Sequence, residues 1–206
     1  MSEILTAKEL KEYLMYETCV QCGHEERKYE LHMSQLWKPV NQIVDELLNG
    51  VQVTTIDRLK FYQGNEAERN MRDRLQGICE VKNLPMGGKK KIYGFEGRLQ
   101  GEIDGDIDNK ILLEVKTVPN DDALAAATRD NTVPFRVFAQ VNGYMYWGKY
   151  DRTIVIYESR GTGKLWCVDV EPDLKLQEEL ADKALMVLAD KRVIETMKKF
   201  ESARRT

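Results

Sequence analysis

Several features that would settle the class of this 206-residue sequence at once are missing from it. No apolar run approaches the ~18 residues that a membrane-spanning helix requires. The first residues, MSEILTAKELKEYL, carry acids in a helical pattern, where a secretory signal would begin basic and turn apolar. Cysteine is scarce: Cys19, Cys22, Cys79 and Cys167 do not make a disulfide framework in a chain of this size without such a signal. These absences lead us to expect a cytoplasmic protein with no membrane association. An excess of positive charge is also missing, since 31 Lys and Arg face 34 Asp and Glu for a formal net charge of −3. That excludes binding to nucleic acid through overall charge, but not through a local basic surface. Lys89-Lys90-Lys91 and Arg204-Arg205 are such clusters, although a three-lysine run is more often a solvated turn. The chain shows no internal repeat and no low-complexity segment.

What is present is the profile of a single globular domain, 42% hydrophobic and 32% charged. We expect an N-terminal helical part (1–60), a core carrying the chemistry (61–170) and a C-terminal helix (171–206). Periodicity of 3.6 marks helices at 3–16, at 24–36 and through Val40, Ile43, Val44, Leu47 and Leu48, the last stopped by Asn49-Gly50. VQVTTI (51–56) fits either helix or strand. Residues 64–76 read as a helix in which Ala67, Met71 and Leu75 recur every fourth residue. Glu68 then falls beside Met71 and Leu75, at the edge of the buried face, while Glu66 points away.

A β-rich block follows. ICEVKNL and KIYGFEGRLQGEIDGDI are separated by the turn signal Pro85-Met86-Gly87-Gly88, and Asp108-Asn109-Lys110 turns the chain into ILLEVKTV (111–118). Alternation puts Ile111, Leu113 and Val115 on one side and Leu112, Glu114 and Lys116 on the other. Residues 119–134 read as a mobile loop enclosing a short helix. A helix from Phe135 to Trp147, strands at 152–159 and 164–170 joined by Gly161-Thr162-Gly163, and an amphipathic helix over 172–200 complete the chain. The expected class is therefore α/β (mixed α+β), a central mixed sheet flanked by helices.

The chemistry concentrates in GEIDGDIDNKILLEVKT. Two strands joined by a tight turn set Asp104 near Glu114, and Lys116 shares Glu114's face. Two carboxylates and an amine among apolar neighbours suit a hard divalent cation such as Mg²⁺ bound beside a phosphate. Alone, the pattern serves equally as the solvated face of an edge hairpin. Glu102 and Asp106 share Asp104's face, so alternation by itself leaves the ligand open to a slip of two residues. Gln140 and Tyr144 share a helix face at i,i+4, where they suit either phosphate contacts or, for Tyr144, ordinary packing.

Four segments in order resemble the PD-(D/E)XK nuclease superfamily, in its RecB-like and lambda-type exonuclease branch: Gly64-Asn65-Glu66-Ala67-Glu68, Gly101-Glu102-Ile103-Asp104-Gly105, Glu114-Val115-Lys116-Thr117 and Gln140-Val141-Asn142-Gly143-Tyr144. The resemblance spans roughly residues 60–170. It implies a restriction-endonuclease-like core and Mg²⁺-dependent DNA hydrolysis, with Mn²⁺ able to substitute. It further implies Glu68, Asp104 and Glu114 as metal ligands, Lys116 as a catalytic residue with Asp104 and Glu114, and Gln140 and Tyr144 on DNA. An exonuclease of recombination, repair or phage DNA processing is the expected activity, with DNA as partner and room for a recombinase, a single-strand-binding protein or a second copy of the chain. The alternative is a nuclease-fold module that binds DNA or a recombinase with little catalysis.

Some relatives in this superfamily carry an iron–sulfur cluster on four cysteines, but here three of the four precede Glu114. A zinc site from Cys19, Cys22, His24 and His32 has unfamiliar spacing. Neither cofactor is expected; nor is an ATPase, since Gly161-Thr162-Gly163-Lys164 lacks the first glycine and the hydroxyl residue of a phosphate loop.

Overall fold

Residues 30–51, 54–82 and 85–204 are described by the computed structural model. The expected helix at 3–16, the Cys19/Cys22 pair and His24 lie outside them. A two-residue strand, β1 (Leu31–His32), passes through a 3-10 turn to α1 (Val40–Asn49). Ile43, Val44 and Leu47 are the buried side of α1, and Gly50 ends it at φ 76°, where glycine is favoured. The helix expected over 24–36 is thus replaced, in its described part, by strand and 3-10 turn. The physical reason is pairing: β1 lies parallel to a later strand, with Leu31 beside Leu99.

The longest helix, α2 (Thr55–Lys82), starts at a reciprocal cap. Thr54 Oγ1 accepts from the Asp57 N–H and Asp57 Oδ2 accepts from the Thr54 N–H, each at 3.2 Å. This resolves VQVTTI, whose last residues open a helix. It also corrects ICEVK, expected as a strand. The stripe of Met71 and Leu75 continues one helical turn on to buried Cys79, and that stripe outweighs the β-propensity of Ile78 and Val81.

Five strands follow: β2 (Met86–Gly87), β3 (Lys90–Gly94), β4 (Leu99–Ile103), β5 (Gly105–Ile107) and β6 (Ile111–Val118). Then come α3 (Asp121–Ala127), α4 (Phe135–Gly148), the hairpin β7 (Arg152–Ser159) and β8 (Leu165–Val170), and finally α5 (Leu174–Leu188) and α6 (Lys191–Arg204). The strands form two sheets, one ordered β1-β4-β3 and the other β2-β5-β6-β7-β8. In the larger sheet β6 is central, antiparallel to β5 and parallel to β7. The expected mixed α/β architecture with flanking helices is what the chain adopts.

The short helix expected within 119–134 is α3: Asn120 caps it by accepting the Ala123 N–H at 2.9 Å, and Leu124 is buried in the core. One further expectation needs correction. The long C-terminal helix is two helices, because Asp190 Oδ1 accepts the Arg192 N–H at 2.9 Å and restarts the chain as α6. The Gly161-Thr162-Gly163 turn stands as expected, Gly163 donating to the Ser159 carbonyl at 2.7 Å.

The two faces of β6 see different surroundings. Val115 packs with Met71 and Leu75 of α2 and with Ile154 and Ile156 of β7. Leu112 and, from β7, Val155 and Tyr157 join the main core under α4 and α5. Glu114 and Lys116 belong to this second side of the strand, as alternation requires.

Candidate active site

Asp104 occupies the single residue at which the chain leaves one sheet for the other. Ile103, the last residue of β4, pairs with Lys90 in the smaller sheet, and Gly105, the first of β5, pairs with Leu113 in the larger. Continuing the second register by one step sets Asp104 opposite Glu114. There the ladder is replaced by a side chain: Asp104 Oδ2 accepts the Val115 N–H at 2.7 Å. The fork between the sheets holds a cavity of about 290 Å³ whose walls include Glu68, Asp104, Glu114, Lys116 and Gln140.

Glu114 is 1% exposed. Its Oε1 accepts from Lys116 Nζ in a short ion pair and from Gln140 Nε2 at 2.9 Å. Its Oε2 is buried and has no hydrogen-bond partner. An ionised oxygen in that condition is costly, and a bound cation is one way to meet the cost. Asp104 shows the same tension. Burial first, then the charges of Glu114 and Glu68, hold its carboxyl well above the ordinary aspartate value, against the opposing pull of Lys116 and the Val115 N–H. Burial would lower the Lys116 ammonium, whose side chain is 28% exposed, but Glu114 and Asp104 outweigh it and hold it above its ordinary value. Lys116 is therefore a fixed cation beside two crowded carboxylates.

Behind Glu114, Gln140 spends both amide hydrogens inside the protein, one on Glu114 and one on Tyr144 Oη at 3.0 Å. Tyr144 is 4% exposed. Gln140 and Tyr144, the pair expected on DNA, are thus bonded to each other and to Glu114, with Gln140 also lining the cavity. The ring of Tyr144 explains Gly101, because a Cβ there would lie 2.5 Å from Tyr144 Cε1 and 2.9 Å from Met33 Sδ. Gly101 and Tyr144 are thus a packed pair.

Glu68 lines the same cavity from α2, but its carboxylate is met by Lys89 Nζ at 3.2 Å and Arg72 at 3.6 Å. Among the described residues no three His, Cys, Asp or Glu side chains converge as a ready cation cage. The structure therefore brings Asp104, Glu114 and Lys116 together, with Glu68 on the cavity wall. The two alternatives to Asp104 are otherwise engaged. Glu102 pairs with Lys89 at 3.0 Å at the surface, and Asp106 is enclosed by Lys90 and Tyr150.

Lys89 was not singled out in the sequence as a partner of Glu68. The β3–β4 register contains the signal, since extending it one step past Lys90 and Ile103 sets Lys89 opposite Asp104. Lys60 and Phe61, which also line the cavity, sit a helical turn beyond the segment read for its acids. Cys79 is a buried free thiol and Cys167 an exposed one.

These residues fit a divalent cation on the chemistry of their donors: two adjacent carboxylates, an oxygen of Glu114 without a partner, and an amine already neutralising part of the charge.

No protein-family profile matches the sequence, and no characterised protein matches it by sequence. Solved structures do match. LHK-Exo in complex with dAMP superposes with a TM-score of 0.64 at 15% identity, over 87% of this chain and 96% of that one. The alkaline exonuclease LHK-Exo from Laribacter hongkongensis gives 0.59 at 15% identity, over 93% and 100%. A phage-related exonuclease from Haemophilus somnus 129PT gives 0.56 at 11% identity, over 87% and 99%. The chain has the fold of these alkaline and phage-related exonucleases. No helix among the described residues is long and apolar enough to cross a membrane.

Proposed function

We propose that the protein is a divalent-metal-dependent deoxyribonuclease of the PD-(D/E)XK superfamily, in its lambda-type exonuclease branch. The observation that carries the reading is the strand fork at Asp104, where two carboxylates and Lys116 share a solvent-reaching cavity and Glu114 Oε2 is left without a partner. The exonuclease-like fold supports it.

Asp104 and Glu114 would hold Mg²⁺, or Mn²⁺ in its place, with Glu68 as a third carboxylate on the wall. Such a cation supplies Lewis acidity toward a phosphate oxygen and lowers the pKa of water. Lys116 is placed to orient the attacking water and to stabilise the charge that grows on the phosphate. Gln140 fixes the orientation of Glu114, and Tyr144 fixes Gln140 from behind. The product is a phosphodiester cut by water, leaving one fragment with a phosphate and the other with a hydroxyl. A role in recombination, repair or phage DNA processing fits such an enzyme, with DNA as its partner.

The test is digestion of end-labelled linear, circular and single-stranded DNA with and without Mg²⁺. Linear DNA should shorten from its ends only with the cation, while closed circles persist. DNA that is bound but left intact in both Mg²⁺ and Mn²⁺ would replace this reading with that of a DNA-binding module.

A further inference from the structure

The cavity at the sheet fork is lined by β6 as far as Thr117, and an exposed arginine stands on each face of the sheet near that end of the strand. Arg160 is fixed at two points. Its N–H donates at 2.9 Å to the carbonyl of Val118, the last residue of β6, and its guanidinium donates to Gln63 Oε1 on α2. Val118 follows Thr117 and Gln63 precedes Gly64, so both anchors adjoin the cavity wall. Gln63 takes one of the five guanidinium hydrogens and, as a neutral amide, leaves the charge uncompensated. On the opposite face, Arg136 lies on α4 four residues before Gln140 and shares its side of the helix. One helical turn, about 5.4 Å, matches roughly two strand residues, about 6.6 Å. With Gln140 bonded to Glu114, Arg136 comes level with Lys116 and its register partner Tyr157. Its charge is felt there: burial raises the Tyr157 phenol, while Lys116 and then Arg136 draw it back. Among the described residues neither arginine forms an ion pair with a carboxylate, whereas Arg69, Arg72 and Arg74 of α2 all do. Glu158, on Arg160's side of β7, is the acid that Arg74 holds at 3.1 Å.

Given the nuclease reading above, we infer that Arg160 and Arg136 are phosphate-binding residues that grip the DNA strand beside the phosphate held at Asp104 and Glu114. A guanidinium suits that task, because its planar fork can meet two oxygens of one phosphate at once. Gln63 holds Arg160 in place beforehand, so less side-chain freedom is lost when the strand arrives. Contacts to phosphate fix register and orientation without reading bases, so the pair would position DNA of any sequence. Both are substrate-positioning residues; neither touches the expected cation.

The test is the Kd of the full chain for a short single-stranded DNA, measured in Ca²⁺ over a series of salt concentrations. A parallel series of oligonucleotides carries one uncharged methylphosphonate at successive positions. Arg160→Gln and Arg136→Gln should each weaken binding by about 5- to 10-fold at low salt and lower the slope of log Kd against log salt by about 0.7. Wild type should pay a penalty at particular methylphosphonates, and each variant should lose the penalty at one of them. Arg160→Lys should keep the slope while losing part of the affinity, which separates loss of charge from loss of folding. Arg98→Gln, an exposed arginine outside the cavity wall, should match wild type throughout. Should wild type bind and cut DNA while either glutamine variant keeps every penalty, the pair is refuted and the nuclease reading stands. A slope that falls with no penalty lost means charge acting at a distance, and refutes the pair equally. Should wild type neither bind nor cut DNA, the nuclease reading fails and this inference with it.

Discussion

Asp104 and Asp106 are two residues apart, are the same amino acid and adjoin the same strand, yet their surroundings are opposite. Asp106 is 1% exposed and fully engaged: Lys90 Nζ lies 2.7 Å from Oδ2, Tyr150 Oη donates to Oδ2 at 3.2 Å, and the Asn109 N–H donates to Oδ1 at 3.2 Å. It ties the β3–β4 hairpin to the β5–β6 turn. Asp104 has one backbone donor, and burial first, then the charges of Glu114 and Glu68, raise its pKa. A satisfied buried carboxylate holds a fold together, whereas a crowded one stores an unfavourable interaction that an incoming cation relieves. In the proposed function, this difference is the reason for assigning the chemistry to Asp104 and a structural role to Asp106.

The largest effects should come from the crowded side. Asp104→Asn and Glu114→Gln, each isosteric, should reduce Mg²⁺-dependent cleavage of linear DNA to background while leaving the circular dichroism spectrum unchanged. Activity within tenfold of wild type in either variant would break the comparison. Lys116→Ala should retain the fold and cation binding but lose about 10²- to 10³-fold in single-turnover cleavage, the size expected for one preorganised donor. Lys116→Arg should not restore it fully, because a planar fork replaces a compact point charge.

On the satisfied side the effect should appear in stability instead. Asp106→Ala leaves Tyr150 Oη and the Lys90 ammonium without their carboxylate, at an expected cost of about 1–3 kcal/mol in denaturant titrations. The figure sits below that of a fully buried pair because Lys90 is 42% exposed. The cation dependence of cleavage by the folded fraction should be that of wild type.

The smallest effect concerns pH. Folded Asp104 holds its proton to higher pH than an unfolded aspartate, so the folded state binds more protons over that interval. The metal-free protein should therefore lose stability as pH rises from the ordinary carboxylate range through the raised value. Asp104→Asn should flatten this part of the Tm-against-pH curve in EDTA and raise Tm at its upper end. A curve with the wild-type slope in that variant would show that the strain lies elsewhere.

Much of the site was legible because it follows strand alternation. Glu114 and Lys116 fall on one side of ILLEVKTV by counting, and the turn at Asp108–Lys110 brings Asp104 opposite Glu114 in any regular hairpin. Glu68 was placed by helical spacing in the same way. The motif resemblance already favours Asp104 over Asp106, but the engagement of Asp106 needed three dimensions, since Tyr150 lies 44 residues away from the carboxylate it engages. The partners of Gln140 and Tyr144 were missed for a related reason. Their i,i+4 spacing shows that they share a face, not whether that face meets solvent or Glu114. Among the elements, ICEVK misled because Ile and Val carry β-propensity, although the four-residue count through Ala67, Met71 and Leu75 continues to Cys79. The division of the C-terminal helix turned on one aspartate, Asp190, whose cap is invisible to apolar periodicity.

Calorimetric titration of Mg²⁺ into metal-stripped wild type, Asp104→Asn and Asp106→Asn tests the central claim most directly. The account requires that Asp104→Asn abolish the binding isotherm and that Asp106→Asn bind as wild type does, despite a lower melting temperature. An isotherm lost in Asp106→Asn and kept in Asp104→Asn would contradict it.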